Sequence, residues 1–225
     1  AKPELAQDLG RFAGNIEARY ESTLGFRVPG RIVRRFYDVG AVVKQGDILA
    51  NLDPTDQQNQ LRAAQGDLAK VQAQLINAQA NARRQQELFD RGVGAQAQLD
   101  TAQADLKTTA ASMQQAVAAG NQAQDQLSYC NLRADHDAVS TDWKAEAGQV
   151  VSIGEEVVTL ARHEIKEAVI DLPGRVAEAL PKGIEFQVAG ELEPNVKTTA
   201  HVREIAPQAD SATRTRRTRL TLDQT

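Results

Sequence analysis

The strongest constraint on this chain is a long interval without proline. The sequence has seven prolines, but none lies between Pro54 and Pro173. Within the interval, residues 57–126 are about half Ala and Gln, and β-branched residues are few. Ala and Gln are good helix formers and proline breaks helices, so the interval predicts uninterrupted helix.

Residues along this interval repeat with the spacing of a coiled coil. Mostly apolar or small residues recur at alternating steps of three and four, which keeps one narrow seam facing a partner helix. The first series is Leu61, Ala64, Leu68, Val71, Leu75, Ala78, Ala82, Gln85 and Phe89; the second is Leu99, Ala102, Leu106, Thr109, Met113, Ala116, Gly120, Ala123 and Leu127. Residues 91–95 contain two glycines, which allow the chain to reverse. The pattern predicts an antiparallel hairpin with arms of about 35 residues, roughly 50 Å long at 1.5 Å per residue.

The start of the first helix is marked by three residues. Asp53 is placed to cap the helix, Pro54 suits the first helical position, and Asp56 favours the positive helix end. We therefore expect the hairpin to begin directly after these signals.

The segments on either side of the hairpin contain an internal repeat with an offset of 108 residues. The matched pairs are Gly30 with Ala138, Ile32 with Ser140, Gly40 with Gly148, Val43 with Val151, Gly46 with Gly154, Leu49 with Val157 and Leu52 with Leu160. Each copy predicts a strand, a tight turn and another strand. Because neither copy can bury its apolar face alone, we expect the two to pack as one small β-sandwich with the hairpin inserted between them.

Composition excludes several classes of function. Aromatic residues are only 4% of the 225 residues, which suits an extended protein built from small units, and the net charge of -4 argues against nucleic acid as the main partner. The single Cys excludes an internal disulfide and a cysteine-based zinc cage, and the three histidines are dispersed at 136, 163 and 201. No apolar stretch approaches the roughly 20 residues of a membrane-spanning helix. No signal peptide precedes Ala1, so we expect a mature or trimmed sequence, with any membrane anchor upstream of Ala1 or in a lost segment.

The flanking residues resemble the two halves of a split lipoyl domain. Residues 24–32, 38–50 and 52–54 are similar to its first half, and residues 132–134, 137–139 and 148–154 to its second. With the inserted hairpin, the chain is similar to the periplasmic adaptor (membrane fusion, HlyD-like) proteins of Gram-negative tripartite efflux pumps of the RND type. The fold class implied is α+β, elongated and multidomain: a coiled-coil hairpin in a split lipoyl-like β-sandwich, followed by an incomplete β-barrel.

The resemblance implies five segments. Residues 1–23 contribute to the barrel, 24–54 and 128–162 form the two lipoyl-like halves, 55–127 form the hairpin with its tip near 91–95, and 163–225 form the barrel. The last barrel strand and the membrane-proximal domain of the family are expected to be absent. Flexible joints are expected near residues 52–55 and 127–134.

The resemblance also implies a function without catalysis, cofactor or metal. The hairpin tip would dock on a TolC-like outer-membrane channel, the other domains would contact an inner-membrane RND transporter, and several copies would lie side by side. The tip residues implied are Arg84, Leu88, Gly92, Val93, Gly94 and Ala95. The family pattern has Ser where this chain has Ala95, so the missing hydroxyl would be replaced by backbone groups of residues 92–94 or by Gln96. A second departure is Ala138, where the family usually has Gly and where turn freedom is expected to fall.

A basic run in the barrel segment has two interpretations. Arg214, Arg216, Arg217 and Arg219 alternate with Thr in a strand-like run. They are either contacts for the transporter or anionic lipid, or a solvated strand face. At the tip, Arg84 likewise either contacts the channel or pairs with Glu87 or Asp90.

Other functions stay open at this point. One is an adaptor of an ABC-type exporter or type I secretion system, and another is a lipoyl or biotinyl carrier subunit. The nearest lysines within the repeats, Lys44 and Lys144, do not lie in a carrier-type turn motif. Cys130 is interpreted as a small buried residue rather than a reactive thiol, and His136 as part of a surface turn.

Overall fold

The computed structural model describes residues 10–162, 165–180, 183–191 and 197–223. These residues form two long helices, one short helix and three β-sheets. The strands are β1 (Gly14–Ala18), β2 (Glu21–Leu24), β3 (Gly30–Arg35), β4 (Val42–Val43), β5 (Ile48–Leu52), β6 (Asn131–Arg133), β7 (Ala138–Trp143), β8 (Val150–Val151), β9 (Val158–Ala161), β10 (Lys166–Pro173), β11 (Glu185–Ala189), β12 (Lys197–Ile205) and β13 (Thr215–Leu222). The helices are α1 (Thr55–Asp90), α2 (Gln96–Ser128) and α3 (Gly174–Ala179).

The two long helices form the predicted antiparallel hairpin. Every residue of both predicted seams is buried or half-buried except Phe89. The tightest positions are Ala82, Leu99, Ala102 and Ala123, each no more than 8% exposed. Small side chains at these positions let the two helices approach closely, which confirms the seam. At 1.5 Å per residue, the 36 residues of α1 span about 54 Å.

The first helix begins one residue later than its signals suggest. Pro54 occupies the position before the helix rather than its first turn, and its carbonyl accepts the Gln58 amide at 2.8 Å. Asp53 Oδ1 accepts the Thr55 backbone amide at 3.1 Å and the Thr55 hydroxyl at 2.6 Å. These two hydrogen bonds, the hydroxyl first, lower the pKa of Asp53. Asp53 therefore still satisfies a free amide at the helix start.

The two halves of the sandwich exchange strands. One sheet has the order β6-β5-β3-β8 and the other β2-β9-β7-β4. Strand β8 of the second half pairs with β3 of the first, and β4 of the first half pairs with β7 of the second. A shift of 108 residues converts one sheet into the other, including the register irregularity in β3 and its counterpart in β7. The sandwich is therefore internally two-fold and neither half is complete alone.

The repeated positions play equivalent structural roles. Gly40, Gly46, Gly148 and Gly154 all have φ between +75° and +92°, a region that favours glycine, at tight turns between strands. The repeated apolar residues Val43, Val151, Leu49, Val157, Leu52 and Leu160 are each no more than 1% exposed.

The expectation that Ala138 reduces the conformational freedom of a turn was wrong. Neither Ala138 nor its equivalent Gly30 has positive φ; both lie in strands. Ala138 is 2% exposed and belongs to the sandwich core. The position needs a small residue in a strand, so turn freedom is not at stake.

The barrel segment forms a separate five-stranded sheet with the order β1-β10-β13-β12-β11. Its core includes Leu172, Ala200 and Leu220, with α3 packed against it through Ala177. Within the described ranges, β1 and β11 form the two open edges of this sheet.

The boundary between barrel and sandwich differs from the expected position. Strand β1 joins the barrel sheet, but β2 pairs with β9 in the sandwich, so residues 21–23 belong to the sandwich. The two connecting segments are hydrogen-bonded to each other: the Arg19 amide donates to Ile165 at 2.9 Å and the Arg162 amide to Tyr20 at 3.0 Å. A two-stranded ribbon, rather than two separate linkers, therefore connects the two sheets.

The hairpin base is also tied to the sandwich. The Leu52 amide donates to the Cys130 carbonyl at 2.8 Å, and the Arg27 guanidinium lies 4.0 Å from the centre of the Tyr129 ring. These contacts cross the segments that the sequence predicts as flexible joints. A tilt of the hairpin relative to the sandwich would have to distort or break these contacts.

Candidate functional site

The tip of the hairpin is a tight turn held by its own backbone. The Gly92 amide donates to Phe89 at 2.8 Å, and the Val93 and Gly94 amides both donate to the Leu88 carbonyl at 3.1 Å. Gly92 has φ of +75°. A Cβ at Gly94 would lie 2.7 Å from the Phe89 nitrogen, so glycine is required there by close approach of the backbone. The turn is therefore specified by both glycines.

The turn presents an apolar surface to solvent. Leu88 is 41% exposed, Phe89 38% and Val93 74%. Phe89 was predicted as the last seam residue, but α2 begins only at Gln96, so no partner helix covers it. Sequence reasoning missed Phe89 as a tip residue; the signal available was that its seam position lies beside the turn.

Arg84 is not neutralised by its neighbours. Glu87 pairs with Arg83 at 3.1 Å, and Asp90 accepts the Gln86 amide at 2.9 Å. Both acids proposed as partners for Arg84 are therefore engaged elsewhere, and Arg84 has no ion pair within the described part of the chain. It lies one helical turn from Leu88, on the same face of α1.

The expected replacements for the missing hydroxyl already take part in hydrogen bonds within the hairpin. The amides of Gly92, Val93 and Gly94 are used inside the turn. The Gln96 side-chain amide donates to Asp100 Oδ1 at 2.7 Å. Ala95 itself is exposed and precedes α2. Among the described residues, the tip thus combines apolar side chains with two arginines that form no ion pair, Arg84 and Arg91.

The barrel arginines do not form one surface. Arg214 lies in a turn with φ of +57°. Arg216 pairs with Glu178 of α3 at 3.0 Å, whereas Arg217 approaches Asp171 of β10 at 3.6 Å. Neighbouring strand residues point to opposite faces, so Arg216 lies on the side covered by α3 and Arg217 on the other. The structure separates the run that the sequence groups together.

The remaining candidate residues, Cys130 and His136, are both largely enclosed by the protein. Cys130 is 2% exposed, and burial raises the pKa of its thiol, which confirms a small buried residue. His136 is more enclosed than a surface turn suggests: its side chain is 15% exposed, and Nδ1 lies 2.6 Å from Asp135. It lines an open cleft of about 310 Å³ at the barrel–sandwich ribbon, together with Tyr20, Glu21, Ser22, Asp135 and Arg162.

The lysines considered for a carrier function lie outside the hairpin. Lys144 forms an ion pair with Glu156. The Lys44 amide donates to Asp47 Oδ2 at 2.9 Å in the turn before β5. Among the described residues, no group of three His, Cys, Asp or Glu side chains is placed to hold a metal ion. Neither long helix in the described ranges is apolar enough to cross a bilayer.

Two family models match the chain. The model described as "RND MFP, alpha-helical hairpin domain" matches residues 60–130. The model described as "CusB-like, beta-barrel domain" matches residues 168–225. The matched segments contain the hairpin and four of the five strands of the barrel sheet, β10 to β13.

One similar protein is the multidrug resistance protein MdtA of Klebsiella pneumoniae. It is 32% identical over 180 residues, which cover 79% of this chain and 43% of that protein. The chain spans less than half the length of the first curated relatives it matches, at 40%, 29% and 43% of their sequences.

Solved structures share the fold. MacA from Actinobacillus actinomycetemcomitans has a TM-score of 0.72 at 20% identity, covering 93% of this chain and 71% of that one. ZneB from Cupriavidus metallidurans has a TM-score of 0.65 at 22% identity, covering 92% of this chain and 88% of that one. The hairpin and the barrel of this chain, with the split sandwich between them, are thus domains of the RND-type membrane fusion protein kind.

Proposed function

We propose that this chain is the hairpin, sandwich and barrel portion of a periplasmic adaptor that links an inner-membrane RND transporter to a TolC-like outer-membrane channel in drug or solute efflux. The adaptor carries out no catalysis; its work is to hold two membrane proteins in register. It acts in the periplasm, anchored to the inner membrane through a segment upstream, and several copies lie side by side.

The observation that carries the proposal is the composition of the hairpin tip. A rod of about 54 Å ends in Leu88, Phe89 and Val93, all exposed, beside an arginine without an ion-pair partner. These side chains add little to the hairpin seam, so their exposure supports a contact surface. We propose that the tip docks on the channel by burying the three apolar side chains, with Arg84 pairing with an acidic group or carbonyl on the partner.

Substitutions at the tip test this contact. Leu88→Ser removes an apolar side chain whose full burial contributes about 2 kcal/mol, or roughly thirtyfold in affinity. We expect this variant, and Arg84→Glu, to abolish efflux in a complementation assay while the circular dichroism of the helices is unchanged. Matched controls are Ile76→Ser, which changes a 59%-exposed apolar residue far from the tip, and Arg62→Glu near the hairpin base. Normal efflux with both tip variants would contradict the docking role.

Photocrosslinking identifies the partner directly. A photoreactive residue fits at Val93, which is 74% exposed, but not at Gly92 or Gly94, where the backbone requires glycine. We expect the Val93 probe to form an adduct with an outer-membrane channel protein in the intact envelope, and a probe at Ile76 to form none. Adducts only with the chain itself or with soluble enzymes would overturn the adaptor function.

The inner-membrane side is tested separately. The family model that matches the hairpin describes RND membrane fusion proteins, which favours an RND partner over an ABC exporter. A probe at Arg214, exposed in its turn, is expected to crosslink to an RND transporter. An adduct with a transporter that carries nucleotide-binding domains would support the ABC alternative instead. For the carrier alternative, a mass increase on a lysine after expression in a lipoylating host would be required.

A further inference from the structure

We propose that the cleft at the barrel–sandwich ribbon binds a small zwitterion of the α-amino acid class, which carries one ammonium and one carboxylate group. The site is separate from the hairpin tip and does not depend on the adaptor function. The cleft has a volume of about 310 Å³ and is lined by Tyr20, Glu21, Ser22, Asp135, His136 and Arg162. Sites for small molecules typically measure about 300–1,000 Å³, so this cleft suits a small ligand.

Strand pairing brings these residues to one end of the sheet β2-β9-β7-β4. Glu21 of β2 and Val139 of β7 both pair with Ala161, the last residue of β9, from its two sides. The Arg162 amide donates to the Tyr20 carbonyl at 3.0 Å, which places Arg162 beside the start of β2. Three separate segments of the chain therefore converge on the cleft.

The internal repeat provides a comparison for two of the cleft residues. The offset of 108 residues relates Ser22 to Cys130 and Val28 to His136, at opposite ends of the sandwich. Cys130 is 2% exposed, Val28 is 8% exposed, and both belong to the sandwich core. Packing is satisfied there by a small residue and an apolar one, so it does not account for a hydroxyl and an imidazole at the ribbon end.

The hydroxyl and the imidazole both have hydrogen bonds unmade. The Ser22 hydroxyl oxygen and His136 Nε2 are buried atoms without a hydrogen-bond partner in the part of the chain that the structure describes. His136 Nδ1 lies 2.6 Å from Asp135 Oδ1 and donates its proton there, so Nε2 of the neutral ring is an acceptor that lacks a donor. Buried polar atoms normally have partners. The His136 side chain is 15% exposed, so a small rotation of the ring presents Nε2 to a donor in the cleft.

Opposite charges line the cleft without neutralising each other. Glu21 and Arg162 are both exposed, and neither forms an ion pair within the described ranges. A ligand with a single charge would be attracted by one of them and repelled by the other. A zwitterion pairs its carboxylate with Arg162 and its ammonium with Glu21. The ammonium also has a hydrogen for His136 Nε2, and the Ser22 hydroxyl can donate to the carboxylate.

Three small molecules test the requirement for both charges. L-Alanine has both groups, ethylamine lacks the carboxylate and propionate lacks the ammonium. We would add each to the intact chain labelled with nitrogen-15 and follow the backbone amide NMR signals of Glu21, Ser22 and His136. Alanine is expected to shift these signals with a dissociation constant of about 1 mM, and the other two to bind roughly tenfold more weakly.

Two outcomes of this titration would overturn the inference. One is a shift with alanine that does not saturate by about 10 mM, which would show that the cleft has no such site. The other is binding of ethylamine or propionate as tight as that of alanine, which would show that one charge is enough.

Charge substitutions test the two ends of the ligand separately. Arg162→Gln should weaken alanine roughly tenfold and leave ethylamine unchanged, whereas Glu21→Gln should weaken alanine and leave propionate unchanged. Matched controls are Arg217→Gln and Glu185→Gln, which change exposed residues of the barrel sheet and should leave alanine binding as it is. Equal losses in the cleft variants and the controls would contradict direct contact with the ligand.

A further variant separates binding from packing. His136→Val introduces the residue that the repeat places at the equivalent position. Because Val28 packs in the core there, the urea midpoint followed by Trp143 fluorescence should not fall, while alanine binding should be lost. Retained binding would refute the role of His136, and a lower midpoint would refute the argument from the repeat.

The result is independent of the tip experiment. If the Val93 adduct with the channel forms but alanine does not bind, this inference fails and the proposed function stands. If alanine binds as expected and no channel adduct forms, the proposed function fails and the zwitterion site stands.

Discussion

Replacing Ser140 is expected to stabilise the sandwich. Ser140 is 1% exposed in β7, and its hydroxyl has no hydrogen-bond partner in the part of the chain that the structure describes. The other copy of the repeat places Ile32 at this position, also 1% exposed. An unpartnered buried hydroxyl costs about 1–3 kcal/mol, and Ser140→Ala removes it while changing little volume. We expect the free energy of unfolding of the sandwich to rise by about 1–2 kcal/mol.

The chain carries its own reporter for this measurement. Trp143 is the only tryptophan, lies in the same strand and is 9% exposed. Its fluorescence during urea unfolding therefore follows the sandwich, whereas circular dichroism at 222 nm is dominated by the hairpin. With a denaturant slope of about 1 kcal/mol/M for a domain of this size, the midpoint should rise by about 1–2 M.

The control and the contrary result are both specific. Ser128→Ala changes an exposed serine whose hydroxyl donates to the Asp125 carbonyl at 2.7 Å, and should shift stability by no more than about 0.5 kcal/mol. A lower midpoint for Ser140→Ala would show that the hydroxyl is hydrogen-bonded in solution, and it would refute the reasoning.

Three further predictions concern the hairpin, the turns and the split sandwich. Gly94→Ala should destabilise the tip turn by about 1–3 kcal/mol and so lower the midpoint of the 222 nm signal. Gly66→Ala lies in mid-helix with open space around it and should stabilise the hairpin by about 1 kcal/mol. Equal shifts of the midpoint in the two variants would contradict the close approach at the tip. Hydrogen bonds from the Lys44 backbone amide and the Tyr37 hydroxyl lower the pKa of Asp47. Asp47→Asn should therefore be less stable than the unchanged chain at pH 7, and this difference in the free energy of unfolding should vanish as pH falls below about 4. A difference that persists at pH 2 would refute this cause. Replacing residues 57–126 with a short Gly-Ser bridge should leave a soluble domain with Trp143 buried by fluorescence, because strands of the two halves pair with each other; an unfolded product would contradict the split-domain interpretation.

The features that the sequence predicts well are periodic. The seam follows from the 3,4 spacing because a helix converts that spacing into one face. The repeat likewise predicts the sharp turns, because Gly40 and Gly148 mark backbone conformations that few other residues adopt. Local chemistry is enough to predict both.

The features that the sequence misses depend on pairing between distant segments. Nothing in Glu21–Leu24 indicates that it pairs with β9 rather than with the barrel sheet. The exposure of Phe89 depends on where the second helix begins, and the covering of Arg216 depends on α3. Each outcome is set by tertiary contacts, which override the local pattern.

Both helices are inserted at one point of the sandwich, so the length of the hairpin can change independently of the sandwich. Seven residues added to each arm would preserve the seam and the direction in which the turn faces, and would move the turn outward by about 10 Å. Neither the sandwich core nor the ribbon to the barrel would have to change. The length of the hairpin can therefore evolve in steps of one heptad, while the turn and the sandwich evolve separately.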